Sequence, residues 1–172
     1  MSLIYLISSL PMLSLDTAPG MTPDAFLAAC REQLGEQAVA AVEALLNGQA
    51  LAHPFVEVWL DKEAILRNAV ARKRARAAGG DQDRWQRPAC GCDSQIEAGV
   101  EDAFEEPDPL TRERALDKAR WLIAGELQGT DPLSLNVAFA YAVKLAITSR
   151  WHALDAARGQ QMFDSLTRAG DM

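Results

Sequence analysis

Two cysteines one residue apart, Cys90-Gly91-Cys92, are the first place to look for chemistry in this chain. Thiolates hold soft metals and exchange disulfides. A structural zinc site takes four ligands, usually from paired Cys-x-x-Cys elements. Here a single residue separates the pair, and Cys30, His53 and His152 would have to converge on it from distant segments. Exposed loop thiols are the plainer account. Glu101, Asp102, Glu105 and Glu106 gather carboxylates of the kind that bind cations, and a solvated acidic face explains them better. His53 precedes Pro54 at a helix start and His152 follows Trp151 at a helix end, both ordinary structural positions. With no Ser-His-Asp or Glu-x-x-His arrangement, hydrolase chemistry has little support. The expectation is a protein that is not an enzyme and has no catalytic residue, metal or cofactor.

A third group is the basic run Arg67, Arg72, Lys73, Arg74 and Arg76. One account is a solvated helix end, where cations suit the negative end of the helix dipole. The other is a docking face for an acidic protein or a lipid headgroup surface. These five residues are the candidate docking face. Only Trp85 lies nearby as an aromatic, which leaves single-stranded nucleic acid without stacking platforms. The formal net charge of -7 argues the same way against a nucleic-acid binder that works through overall charge. Charge is uneven along the chain: Arg67 to Arg87 is basic and Glu97 to Asp108 acidic. Whether the acidic segment folds back on the basic helix end is open at this point.

The elements that must carry these groups are helices. Ala, Leu, Glu and Arg are abundant and β-branched residues few, a helical bias. A length of 172 residues suits one domain with a real core, spanning 1–172, with a loop or flexible connection near 79–95. The organising stretch is Ser134 to Leu154. Leu135, Val137, Phe139, Tyr141, Val143, Leu145, Ile147 and Trp151 point around much of its circumference, and such a helix is buried on several sides. Asn136 and Lys144 interrupt it as a membrane span, since a Lys at the bilayer centre costs roughly 3 kcal/mol. The fold class expected is all-α: a multi-helix bundle of antiparallel amphipathic helices around a buried C-terminal helix.

Thr22-Pro23, Asp108-Pro109 and Asp131-Pro132 each place a capping oxygen before a proline and predict three helix starts. Helices are expected over Pro23–Leu34 (Phe26, Leu27, Cys30 and Leu34 inward) and Glu36–Leu46 (Val39, Val42, Leu45 and Leu46 inward), stopped by Asn47-Gly48. Pro54–Ala78 follows, with a stripe of Val58, Ile65, Leu66, Ala69 and Val70. Ile96–Phe104 is a short helix. Pro109–Leu127 uses Leu116, Ala119, Leu122, Ile123 and Leu127, and a last helix covers Gln160–Arg168. Leu3–Ile7 is an apolar run whose length separates neither strand from helical turn. Three cysteines, an odd number, fit a reducing cytosol. The N-terminal run lacks a Lys or Arg before it and is broken by Pro11, which argues against a cleaved signal.

Several of these residues resemble a known pattern. Tyr5 with Ser9-Leu10-Pro11, Leu66-Arg67-Asn68 inside a long helix, then Tyr141, Leu145, Arg150-Trp151, Leu154-Asp155, Gly159 and Phe163 look like a small bacterial family of unknown function encoded beside V-type ATPase subunits. That family is similar in turn to the C (or d) subunit of V-type ATPases, an all-helical protein that caps the membrane rotor ring and sockets the central stalk. The chain is much shorter than a full C subunit, and the three helical lobes of that subunit could not all fit here, which implies part of a socket or an accessory factor. The resemblance implies a non-enzymatic protein that couples or assembles the soluble ATPase sector with the membrane rotor ring in proton or sodium transport. Its partners would be V-type ATPase subunits of the central stalk or rotor ring, with no nucleic acid. Its place would be cytoplasmic, peripheral at the inner face of the cell membrane through those partners. The alternative is a stand-alone helical protein–protein interaction module with an unrelated partner.

Overall fold

The computed structural model describes residues 2–154 and Gly159. Every regular element among them is helical: α1 (Leu3–Ser9), α2 (Pro23–Gln33), α3 (Glu36–Asn47), α4 (Pro54–Ala77), α5 (Ser94–Glu105), α6 (Pro109–Gln128) and α7 (Leu135–Ala153). The all-α bundle expected from composition and periodicity is the observed fold. The apolar run near the N-terminus is helix α1, which ends where Leu10 turns extended ahead of Pro11, a residue that disfavours helical backbone before it. The helix expected over Gln160–Arg168 lies outside the described residues.

Two of the three capping prolines start helices as expected. Thr22 accepts from the Ala25 amide at 3.2 Å, and Asp108 accepts from the Thr111 amide at 2.8 Å. His53 does the same work before Pro54, its Nδ1 accepting from the Phe55 amide at 3.2 Å. Asp131-Pro132 does not start α7. Its carboxylate closes a turn on the Leu133 amide at 2.9 Å, two residues on, and its carbonyl accepts from Ser134. An Asx turn thus competes with the cap, and the helix begins at Leu135. At the other end of α3, Gly48 adopts a left-handed φ of 63° and closes a Schellman turn, with the Gln49 amide on Ala44 at 2.8 Å.

Helix α7 packs against α1, α2, α3 and α6, which buries Phe139, Val143, Leu145 and Ile147 on several sides as its sequence predicts. Helices α4, α5 and α6 form the other half of the bundle, with α5 lying against both α4 and α6. One apolar core runs through both halves, from Leu6 and Phe26 to Ile96 and Ile123. The rings of Phe55 and His53 meet Phe139, at 5.2 and 4.9 Å between centroids. The inward stripes differ in detail from expectation. Val58 is 45 % exposed, and α4 buries Phe55, Val56 and Trp59 instead. Leu122 is 58 % exposed on α6. On α3, alanines 38, 41 and 44 take the closest positions, and Val39 and Leu46 are half-buried.

Candidate docking cleft

The five cations expected to form one docking face do not share a face. Arg72 pairs with Glu97 and Lys73 with Glu101, both on α5. The acidic segment therefore does fold back on the basic helix end. Among the described residues Arg76 reaches only the side chain of Gln82, at 3.4 Å. Arg67 and Arg74, seven residues apart and so on one side of α4, line the cleft between α4 and α6 instead, Arg67 pairing within its own helix and Arg74 across to α6. Arg74 meets Glu113 at 3.3 Å, and Arg67 donates from Nε to Glu63 at 2.7 Å. Pairs this exposed contribute about 0–1 kcal/mol each. They nonetheless neutralise Arg72 and Lys73 locally.

On the Arg67–Arg74 side lies a cleft of about 720 Å³, walled by the second half of α4, the turns around 78–87, and α6. Arg67, Arg74, Arg84, Arg87 and Arg120 line it, against the two carboxylates of Asp81 and Glu113. Neither Arg84 nor Arg87 makes an ion pair among the described residues. The Arg84 guanidinium sits 5.0 Å from the ring centroid of Trp85, itself 68 % exposed. A strongly acidic chain thus carries a locally cationic cleft with an aromatic at its lip, which suits carboxylates or other anions.

The connection that walls that cleft is tied to α4 from its middle onward. Asn68, buried on α4, exchanges two hydrogen bonds with the Arg87 backbone, each 2.8 Å long. Further along, the Cys90 amide donates to Asp61 at 2.7 Å, and Lys62 meets Asp93 at 2.5 Å. Asp93 also caps α5 through the Gln95 and Ile96 amides. The connection near 79–95 is therefore a pinned loop, with α5 starting inside its last residues. Cys90 and Cys92 are exposed free thiols on it. Among the described residues no group of three or more His, Cys, Asp or Glu is placed to hold a metal ion.

Beneath the cleft is a polar network centred on Glu63, Asp117 and Arg120, none of which the sequence singled out. Arg120 donates to Glu63 from Nε at 2.9 Å and from Nη2 at 3.1 Å, and to Asp117 from Nη1 at 2.9 Å. Asp117, fully buried, also accepts from Trp151 Nε1 at 2.7 Å and from Arg150. Burial works against the Arg120 charge, but the Glu63 hydrogen bond and the charges of Glu63 and Asp117 outweigh it and hold its pKa above the usual guanidinium value. One signal was available: Glu63 stands four residues after Trp59 and three before Leu66, on the buried stripe of α4.

The residues that carry the family resemblance have structural positions of this kind. The Tyr141 hydroxyl donates to the Pro11 carbonyl at 3.1 Å, joining α7 to the turn after α1. Leu66 is core, Arg67 and Arg150-Trp151 belong to the polar network, and Asn68 holds the loop. Asp155 and Phe163 lie outside the described residues. No helix among the described residues is long and apolar enough to cross a membrane. In comparisons with known proteins, no curated protein and no solved structure matches the chain. The family described as protein of unknown function (DUF2764) matches residues 98–169, a stretch that takes in α6, α7 and most of α5.

Proposed function

We propose that this protein is a non-enzymatic helical adaptor that couples or assembles the soluble sector of a V-type ATPase with its membrane rotor ring. Its arginine-lined cleft takes an acidic segment of a stalk or ring subunit. The observation that carries the docking part is the cleft itself: Arg84 and Arg87, in no ion pair among the described residues, stand beside Trp85 on a chain of net charge -7, while Arg67, Arg74 and Arg120 of the same lining are paired with Glu63, Glu113 and Asp117. Charge complementarity of this kind steers association and selects partners. The choice of partner rests on the resemblance of Tyr5, Ser9-Leu10-Pro11, Leu66-Arg67-Asn68 and Arg150-Trp151. The proposed site of action is cytoplasmic, at the membrane surface through the partner.

The test is affinity capture of the tagged full chain from its native host under gentle solubilisation, with mass spectrometry of what co-purifies. The comparison is Arg84→Glu with Arg87→Glu. Both side chains are exposed, and the Asn68 clamp uses only the Arg87 backbone. V-type ATPase subunits recovered near stoichiometry with the native chain and lost with the variant are the expected result. Capture of an unrelated acidic protein through the same arginines would replace the ATPase reading with the stand-alone module. Capture indifferent to both substitutions would remove the cleft as the docking site.

A further inference from the structure

A second groove, of about 350 Å³, runs between α5 and α6. At 3.6 residues per turn, Glu97 and Glu101 leave α5 on the side that meets α4. Gly99, Asp102 and Glu106 leave on the other side and line this groove. Its floor is apolar. Ile96 and Ile123 are buried there, and Leu122 stands up from α6 with most of its surface in water. Gly99 faces Ala119 closely enough that an added Cβ would touch the alanine methyl at 3.5 Å. Small residues at that crossing keep the floor smooth. The rim is acidic: Asp102, Glu106 and Glu126 make no ion pair among the described residues, and Lys118 is the cation of the lining.

We propose that this groove docks a basic amphipathic helix of a partner protein. The partner's apolar side chains would lie over Leu122 and Ile123, and its Lys or Arg side chains against Asp102, Glu106 and Glu126. The charge of the rim selects a cationic ligand and repels an anionic lipid surface. Helix-in-groove docking needs only an apolar trough with flanking charge, whereas strand addition needs a sheet edge, and every regular element among the described residues is a helix. A second copy of this chain is a poorer fit: Arg72 and Lys73 of α4 are already paired with Glu97 and Glu101, and the unpaired Arg84 and Arg87 lie on the loop between α4 and α5 and not on an amphipathic helix. Together with the arginine-lined cleft, the groove would let one small bundle hold two partners of opposite charge. The groove proposal stands independently of what fills the cleft.

The probe is a synthetic helical peptide with Leu at i, i+3, i+4 and i+7 and Lys elsewhere, alongside a scrambled peptide and one with Glu in place of Lys. Binding to the full chain is read by fluorescence anisotropy, and its location by amide hydrogen exchange. The Leu/Lys helix is expected to bind, to protect α5 and α6, and to weaken by about tenfold or more with Leu122→Ser or with Asp102→Lys plus Glu126→Lys. All three side chains are exposed, and circular dichroism checks that the variants fold. Absence of binding, equal binding of the scrambled or Glu peptide, or protection away from α5 and α6 would overturn the proposal. So would a dimer in sedimentation that Leu122→Ser dissolves, since a second copy would then be the occupant.

Discussion

Arg120 on α6 grips Glu63 on α4 through two parallel hydrogen bonds, Nε to Oε2 at 2.9 Å and Nη2 to Oε1 at 3.1 Å. The fork geometry of the guanidinium fixes both distance and angle between the helices, which a lysine would not do. Its remaining nitrogen, Nη1, donates to Asp117, whose other oxygen receives Trp151 and Arg150 from α7. Three helices are thus registered by one buried chain of charges. The outer edge of that chain, Arg67 and Arg120, is also the floor of the cationic cleft.

Asp117→Ala should be the most damaging single change in this network. It would leave the Trp151 Nε1–H unpaired and Arg120 short of one of its two carboxylates, inside the bundle. Removing one member of a buried charge network costs about 3–5 kcal/mol, a large share of the roughly 5–15 kcal/mol available to a domain. Arg150→Ala removes a partner whose side chain is 55 % exposed, and should cost about 1 kcal/mol or less. Urea denaturation of both variants ranks them. Equal losses would mean that Asp117 owes its importance to its exposed partner and not to the buried ones.

The Lys62–Asp93 pair gives the loop before α5 a pH dependence. The hydrogen bond from Lys62 is the main reason the Asp93 pKa lies below the ordinary 3.8, and the same bond lifts Lys62 above the ordinary 10.5. A depressed acid contributes stability above its unfolded value and loses it as pH falls through the folded value. A raised amine contributes below its unfolded value and loses it as pH rises through the folded one. The pair is therefore at full strength across neutral pH and fades at both extremes. Asp93→Asn keeps a capping oxygen and discards the charge, and should lose up to about 1 kcal/mol at neutral pH. That gap should close in acid. Asp93→Ala also removes the cap on Gln95 and Ile96, for about 1 kcal/mol more. A wild-type–Asn gap that stays constant from neutral to acid pH would show that the ion pair contributes nothing.

The bundle was legible because its signals are local. Pro after Thr22 and Asp108, Gly48 after Asn47, and the apolar circumference of Ser134–Leu154 each specify an element without reference to the rest of the chain. Asp131-Pro132 misled because the same side chain can close a two-residue turn or cap a helix, and only the backbone after it decides. Val58 and Leu122 misled because periodicity counts apolar residues but does not say which of two apolar faces meets the core. The site was less legible for a different reason. Arg67, Arg72, Lys73, Arg74 and Arg76 read as one run, but a run on a helix is distributed around its axis. Four of its members pair on different sides, Arg72 and Lys73 with Glu97 and Glu101 of α5, Arg74 with Glu113 of α6, and Arg67 with Glu63 of α4 itself. Arg84, Arg87 and Arg120 joined the cleft through tertiary packing, which no spacing within the chain announces.

Asn68→Ala tests whether the loop that walls the cleft is held from α4. Its two 2.8 Å bonds to the Arg87 backbone are the contacts that pin the middle of that loop. Their loss should cost about 1–3 kcal/mol, the net worth of two hydrogen bonds at about 0.5–1.5 kcal/mol each. Amide exchange should accelerate around residue 87 before it does in α4 or α6, as local opening precedes global unfolding. Uniform acceleration over the whole chain would instead place Asn68 in the general stability of the bundle and leave the loop without a dedicated clamp.

The three thiols should separate cleanly by reactivity. Cys90 and Cys92 are exposed on the loop, and Cys30 is buried on α2 with its pKa pushed up to about 12 by burial alone. The thiolate is the reacting form, so Cys30 is shielded twice, by access and by ionisation. Alkylation of the native chain should add two groups quickly by intact mass, and a third only at the rate of global opening. The same burial has a consequence in alkali. The unfolded Cys30 ionises near the ordinary 9.0 and the folded one does not, so its contribution to stability is complete below 9.0 and is lost as pH rises toward about 12. The third addition should therefore speed up above 9.0 by more than the thiol's own ionisation explains, and a Cys30→Ala chain should lack that part of the alkaline loss in urea denaturation. Three additions at one rate under native conditions would contradict the burial of Cys30, and with it the packing of α2 against the rest of the core.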